Sequence, residues 1–411
     1  MAAPMRAPLM RVPYTDVFPS PRIFPVTASN FPGAVGALVD FITAPSRRGL
    51  PASTVCLSGA GLSVASGLAD YRGDKGTYRL NKTYRPIYYH EFLASHAARR
   101  RYWARSFIGW TTLQKAKPNV AHRAIRDLAD LGVISSIVTQ NVDSLHWAPD
   151  QPGSPARTLA TRPNIVELHG YLRTLVCTSC RTEYPRDDFQ KALARLNPAW
   201  AAFLAEAVAS GALETENPDE RRAKGIRSNP DGDVDLPEAP YSTFRYPACP
   251  KCLANPPPLA SGSLSRVEVD GDGAWEPASN AGILKPAVIM FGESISPSVK
   301  LAAEEAVAGA GKLLVIGTSL ATYSAWRLAK MAKDRGMPLA IVNIGGVRGE
   351  DAFFIDIDAQ HTGRDAVRVE ISTEVILPAV VEALGRPSKA DDAPFAVKGH
   401  GAAAVFKEVV P

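Results

Sequence analysis

The sequence predicts an α/β protein: a Rossmann-like parallel sheet with helices on both faces, plus a small inserted zinc-binding domain. Three observations predict it. Short apolar runs of strand length alternate with amphipathic helical stretches in the first and last thirds of the chain. The run Val55-Cys56-Leu57 ends in Ser58-Gly59-Ala60-Gly61-Leu62-Ser63, two glycines in three residues directly after a strand. Between those thirds stand two knuckles, Cys177-Thr178-Ser179-Cys180 and Cys249-Pro250-Lys251-Cys252.

Bulk properties narrow the class. The 411 residues are 46% hydrophobic and 21% charged, an ordinary globular balance with enough chain for a substantial core. The formal charge is +5 with no long Lys/Arg block, which argues against nucleic acid as a direct partner. Arg99-Arg100-Arg101 is the densest basic run and reads as a solvated helix face. No apolar run reaches membrane-spanning length. Four of the five cysteines sit in the knuckles and the fifth is Cys56, a pattern of metal binding in a reducing compartment rather than of disulfides. The segment Met1–Pro32 is proline-rich and carries Arg6, Arg11 and Arg22 against a single acid, Asp16. It reads either as an import sequence for the mitochondrial matrix or as a disordered arm of a protein in the cytoplasm or nucleus.

In chain order, Ala34–Ile42 has helical spacing and leads into the strand Val55–Leu57. The glycine turn and the helix N-terminus after it suit a pyrophosphate, although such a turn is also common without one. Val64 stands where a third glycine belongs, and Thr83–Tyr89 lacks the acidic ribose reader. Gly73–Tyr89 is polar and reads as a flap. His90–Trp110 reads as helix, with Tyr102 and Arg105 three apart on one face. A helix over Val120–Leu131, a strand over Val133–Thr139 and the loop Gln140–His146 follow. The strand Ile165–Leu168 then ends at His169-Gly170.

The inserted domain covers 171–284. Its insertion Arg181–Ala248 has a proline- and acid-rich middle, Asn217–Pro240, expected as a surface loop, and Asn255–Gly282 is expected to be mobile. Alternation resumes with strand Ala287–Phe291, helix Ser298–Ala310, strand Lys312–Ile316, helix Ser324–Arg335 and strand Leu339–Ile344. Val367–Ile371 adds an edge strand and Glu374–Leu384 a closing helix. The sheet domain is therefore split over 33–170 and 285–385, flanked by an arm, 1–32, and a tail, 386–411.

Some residues suggest chemistry by type and place. Four thiolates are the set zinc prefers in a closed structural site. Thr139-Gln140-Asn141-Val142-Asp143 follows a strand at the sheet's carboxyl edge, where ligands of open α/β folds bind, and is equally compatible with turn chemistry. His169 is either a structural histidine or, at a strand end before glycine, a base. Tyr102 and Arg105 together suit a carboxylate; alternatively Tyr102 packs in the core and Arg105 pairs with a surface acid. Cys56 reads as a small buried hydrophobe.

Asp70-Tyr71-Arg72-Gly73, the segment Thr139–His146 (TQNVDSLH), Glu167-Leu168-His169-Gly170 and the paired knuckles together resemble the sirtuins, NAD-dependent protein-lysine deacylases. The resemblance spans roughly residues 35–385. It implies that Cys177, Cys180, Cys249 and Cys252 share one structural zinc. It implies that NAD is held by Gly59, Ala60, Gly61 and Ser63, by Asp70, Tyr71 and Arg72, and by Gln140, Asn141 and Asp143. Gln140 and Asn141 would hold the nicotinamide ribose and Asp143 the carboxamide. Gly317, Thr318 and Ser319, with Asn343, Ile344 and Gly345, would take the adenosine half. His169 would be the general base, with Asn141 beside it in catalysis. The acyl-lysine peptide would add as a strand along Lys285–Glu293, touching Val288, Met290, Phe291 and Gly292. In the implied reaction the acyl oxygen attacks the ribose, nicotinamide leaves, and the acyl group ends on ADP-ribose.

Arg101–Arg105 (RYWAR), Pro230–Val234 (PDGDV), the segment Lys285–Glu293 and Asn343-Ile344-Gly345 look most like the mitochondrial class II branch, associated with deacylase, lipoamidase and ADP-ribosyltransferase activities. In the sirtuin branch that removes acidic acyl groups a Tyr-x-x-Arg pair plays that role, and the same spacing here implies Tyr102 and Arg105 as substrate residues and a preference for glutaryl-type chains. Ala69 and Tyr71 depart from a frequent Pro and Phe. The expected partners are acylated-lysine proteins and NAD, with no membrane. A non-catalytic NAD- or zinc-dependent interaction module is the competing class, disfavoured by His169, Asn141 and Asp143 occurring together.

Overall fold

The central strand β1, Thr54–Ser58, is buried at all its positions. Its side chains alternate between two cores: Val55 and Leu57 face one, Cys56 the other. Such an apolar run has no solvent face and must be covered on both sides. The computed structural model describes residues 16–81, 84–148, 163–211, 227–228, 233–236, 239–258, 262–357 and 363–385.

Six parallel strands form the main sheet in the order β11-β10-β9-β1-β2-β3. They are β1, β2 (Ile134–Thr139), β3 (Asn164–Glu167), β9 (Lys312–Ile316), β10 (Leu339–Val342) and β11 (Ala366–Val369). The chain runs outward from β1 through β2 and β3, and later from β9 through β10 and β11 on the other side. The direction of winding therefore reverses between β1 and β9, which opens a crevice beyond their carboxyl ends. Helices Phe31–Thr43, Val120–Asp130 and Thr373–Ala383 cover one face. Pro297–Ala308 and Tyr323–Asp334 cover the other. Each fully buried Val, Leu or Ile contributes about 1.5–3 kcal/mol. Lys312, on β9, is buried yet satisfied: its Nζ donates to the carbonyls of Phe41 at 2.7 Å and Ile42 at 2.9 Å, capping the first helix.

A second sheet is antiparallel, β5-β4-β8, made of β4 (Gly170–Cys177), β5 (Glu183–Pro185) and β8 (Leu284–Val288). The expected strand Ala287–Phe291 thus begins earlier and belongs to this small sheet, not to the parallel one. Helix His96–Lys115 joins the two parts, packing Trp103 and Phe107 against Phe189 and Phe244 of the insertion.

Several expectations are corrected. The helix expected over His90–Trp110 is two, Tyr89–Ala94 and His96–Lys115, split at Ser95, whose hydroxyl accepts from the Ala98 N–H at 3.1 Å. Arg99 is no solvated arginine: it is buried, donating to the Tyr246 hydroxyl and the Phe92 and Leu93 carbonyls. The described part of Asn217–Pro240 includes β6 (Arg227–Ser228) paired with β7 (Val234–Asp235), and Asp233 and Val234 are buried. The described part of Asn255–Gly282 is anchored by Trp275, which stacks on Tyr246 and donates to the Ala281 carbonyl. The acidic and glycine-rich composition hid these anchors because each rests on one or two side chains.

The amino-terminal stretch from Asp16 is not a detached arm either. Phe24 pairs with Arg368 on the edge strand, and Phe18 and Pro19 press on Gly346 so closely that a Cβ there would lie 2.1 Å from the Pro19 carbonyl. The targeting expectation for residues 1–15 and the tail 386–411 lie outside the described residues. Among those described, no helix is long and apolar enough to cross a membrane.

Candidate active site

The crevice predicted by the winding reversal is a cleft of about 1860 Å³. Nearly every strand of the main sheet delivers its next residues into it. The β1 turn gives Ala60, Gly61 and Ser63; β2 gives Gln140, Asn141 and Asp143; β3 gives His169. From the other side β9 gives Gly317, Thr318 and Ser319, and β10 gives Asn343, Ile344 and Gly345. Asp70, Tyr71 and Arg72 of the flap, Tyr102, and Val288, Met290, Phe291 and Gly292 beyond β8 complete the predicted set. Two predicted residues stand outside the lining, Gly59 and Arg105.

The glycines have a reason the sequence did not show. The β1 turn crosses the β9 turn with no room for side chains: a Cβ on Gly59 would lie 2.5 Å from the Thr318 Cβ, and one on Gly61 2.9 Å from the Gly317 carbonyl oxygen. The expected helix after the turn is a seven-residue 3-10 helix, Ala60–Ser66, so ligand affinity at this turn cannot rest on a long helix dipole.

Polar side chains in the cleft are already organised. Asn141 Nδ2 donates to Ser63 Oγ at 3.1 Å, and Ser63 Oγ donates to Asp143 Oδ2 at 2.7 Å. Burial pushes the Asp143 carboxyl above its ordinary value, opposed by donation from the Leu145 N–H and Ser63. Gln140 spans the crevice, donating to Thr318 Oγ1 at 2.8 Å and accepting from Thr322 Oγ1 at 3.1 Å. Its side chain ties the β2 and β9 loops together rather than pointing free at a ribose.

His169 is held on both ring nitrogens. Nδ1 lies 3.2 Å from the Gln140 carbonyl oxygen and Nε2 2.9 Å from Ser324 Oγ. A carbonyl only accepts, so Nδ1 carries the proton and Nε2 the lone pair. Burial lowers the imidazole to about 4, the Gln140 carbonyl opposing, so the ring is neutral near pH 7. A neutral imidazole with a fixed lone pair is equipped to take a proton.

At the far end the buried Arg368 donates to the Asn343 and Gly345 carbonyls at 2.8 and 2.7 Å, and Glu370 accepts from the Gly345 N–H at 2.9 Å. Asp16, Phe18 and Pro21 form an outer wall there, where Arg72 Nη1 donates to the Asp16 carbonyl at 3.0 Å and its guanidinium lies over the Phe18 ring. Sequence reading missed Asp16, Phe18, Ser324 and Glu370. The residue after an edge strand was the one available signal, and it pointed to Glu370 alone.

Arg105 does not face the cleft as a free cation. Its Nη2 lies 2.8 Å from Asp233 Oδ2, and Asp233 itself lines the cleft beside Tyr102. The alternative in which Arg105 pairs with an acid holds, except that the acid is buried.

The four knuckle sulfurs lie within 4.8 Å of one another, with Cys177–Cys252 at 3.6 Å and Cys180–Cys249 at 3.7 Å. Four thiolates at about 2.3 Å from a tetrahedral zinc are about 3.8 Å apart, so these residues fit zinc without rearrangement. No water position remains in a four-thiolate set, which makes the ion structural. Cys56 is fully buried, and burial pushes its thiol up to about 12, which makes it inert.

A family model described as Sir2 family matches residues 59–324. The chain belongs to the Sir2 family. It is 35% identical over 82% of its length to "NAD-dependent protein deacylase SIR4" of Batrachochytrium dendrobatidis, covering 93% of that protein. It is 36% identical over 74% of its length to "NAD-dependent protein deacylase SRT2" of Arabidopsis thaliana, covering 69% of it. Identity is 31% over 80% of the chain, and 84% of the relative, for "NAD-dependent protein lipoamidase sirtuin-4, mitochondrial" of Bos taurus. A solved structure from work on the mechanism and regulation of Sir2 enzymes aligns over 85% of this sirtuin and 96% of its own chain, with TM-score 0.50 and 21% identity, which shows the shared fold.

Proposed function

We propose that this sirtuin is an NAD-dependent protein-lysine deacylase with His169 as general base. The observation that carries the reading is the placement of His169 Nε2 in the same cleft as the Ser63–Asn141–Asp143 network, at the crevice between β1 and β9. Bound NAD supplies an electrophilic ribose carbon with nicotinamide as leaving group. Asn141 would hold the nicotinamide ribose and Asp143 the carboxamide, and the Gly317–Ser319 and Asn343–Gly345 turns would hold the adenosine half. The peptide lies along Val288–Gly292, pairing through main-chain groups. His169 accepts the proton of a ribose hydroxyl, so that this oxygen can take over the acyl group. The zinc takes no part in bond-making. β4 begins directly after His169 and ends at Cys177, eight residues on, so the knuckle is separated from the base by the length of a strand.

Mass spectrometry of products from NAD and a panel of acyl-lysine peptides tests the reading. O-acyl-ADP-ribose and free lysine peptide are expected; ADP-ribosylated protein without deacylation favours mono-ADP-ribosyl transfer instead. A lipoyl-lysine peptide belongs in the panel, since a relative of similar identity is named a lipoamidase. The Arg-bearing, acid-poor amino terminus and the mitochondrial relative support placement in the mitochondrial matrix.

A further inference from the structure

Ser324 is the second residue of helix Tyr323–Asp334, on the β9 side of the crevice, whereas His169 follows β3 at the opposite edge of the sheet. The two meet across the cleft at 2.9 Å, Ser324 Oγ to His169 Nε2. Because the Gln140 carbonyl fixes the proton on Nδ1, the Ser324 hydroxyl is the donor in this contact. Nothing else in the helix requires a serine here, since Thr322 holds the cap position. The hydroxyl thus occupies the Nε2 lone pair, the atom through which the base would accept a proton.

We propose that Ser324 is a positioning residue for the general base: it holds the Nε2 lone pair of His169 toward the ribose site and releases it to the incoming ribose hydroxyl. A hydroxyl rotates at little cost, so on cofactor binding Ser324 turns from donor into acceptor. When the ribose O–H proton moves to Nε2, the new Nε2–H can donate to Ser324 Oγ. One O–H bond breaks at the ribose, one N–H bond forms on the imidazole, and the serine keeps its own proton. Gln140 completes the device, because the loop carrying its carbonyl is tied to Thr318 and Thr322 on the same segment as Ser324. Many other titratable groups line this cleft, among them Asp143, Tyr102, Tyr323, Glu293, Asp70, Arg72, Asp233 and Glu370. None of them is in hydrogen-bond contact with the ring, whose two partners are Gln140 and Ser324.

The proposal rests on the deacylase reading, so the test separates them. Ser324→Ala, Ser324→Thr and His169→Ala are compared with wild type by the pH profile of kcat/KM, by direct ADP-ribose binding and by the imidazole nitrogen NMR signals. A hydrogen bond donated to the neutral ring favours that form. Its loss in Ser324→Ala should move the acid limb upward by about 0.5–1 pH unit and lower kcat several-fold. ADP-ribose affinity and melting temperature should stay at wild-type values. Ser324→Thr should restore the profile, and NMR should show the Nδ1-protonated tautomer in wild type. Superimposable pH profiles for Ser324→Ala and wild type overturn the proposal, as does a threonine variant that behaves like alanine. Full activity of His169→Ala would overturn the deacylase mechanism itself, and the positioning role with it.

Discussion

Arg105 and Asp233, far apart in sequence, form an ion pair in which both side chains are more than nine-tenths buried, with Asp233 among the residues that line the cleft. A guanidinium already neutralised by a buried carboxylate is a poor receptor for a second one, which argues against the acidic-acyl preference expected from Tyr102 and Arg105 and makes it testable. Wild type should turn over acetyl-type lysine faster than glutaryl-type lysine. Asp233→Asn keeps the shape and frees the cation, so the glutaryl-to-acetyl ratio of kcat/KM should rise about tenfold, the worth of one charged hydrogen bond. An unchanged ratio, in a variant that still melts cooperatively, would show that Arg105 never reaches the acyl group.

For the base, His169→Ala should lower deacylation by about 10²–10⁴-fold while ADP-ribose still binds. Burial holds the ring at about 4, so it remains in the accepting form throughout neutral pH. The acid limb of kcat/KM should therefore fall well below the ordinary histidine value of about 6.5. An acid limb near 6.5 would place the base in water rather than in this pocket.

Zinc removal should act on stability first. Chelation or Cys252→Ser should release one metal per chain and lower the melting temperature, with activity lost in parallel because β4 links the knuckle to His169. Protein that contains no zinc, or that melts unchanged after chelation, would contradict the assignment.

Acid sensitivity has a second, unrelated origin. His122 is buried with neither ring nitrogen hydrogen-bonded, packed against His146, and burial lowers both, His146 to about 4. His96 is likewise lowered to about 4 by burial. The unfolded chain binds protons near the ordinary value of about 6.5 while the fold resists them, so stability is complete above that pH and is lost as pH falls toward 4. Urea midpoints between pH 7 and pH 4.5 should fall steeply in wild type and less so in His122→Leu. Equal slopes would mean that the pair does not govern acid unfolding.

Much of this was legible in the sequence because it depends on local pattern. Strands β1, β9 and β10 are built on apolar runs, and β2 on Ile137-Val138; the residues just after them are expected in the cleft from their strand-end position together with the family resemblance. Legibility failed where one side chain makes a long-range contact. Asp233 sits in a segment whose composition reads as solvent-exposed, and only its partner on a distant helix explains its burial. Arg99 looked like part of a basic face because its partner, Tyr246, lies in the inserted domain. Strand β8 carries a parallel-sheet composition, but it pairs antiparallel with β4, a long-range partner that composition does not reveal. Ser324 was read only as the start of a helix, since nothing in sequence announces a contact with a histidine on the far edge of the sheet.

The outer wall made by Asp16, Phe18 and Pro21 makes this amino-terminal stretch part of the lining of the cleft. Proteolytic maturation would then be chemically legible. A cut before Asp16 leaves the wall standing, while a cut beyond Pro21 opens the dinucleotide site to solvent at the Arg72 side. Michaelis constants for NAD, compared between protein trimmed before Asp16 and beyond Pro21, would report how much this wall contributes.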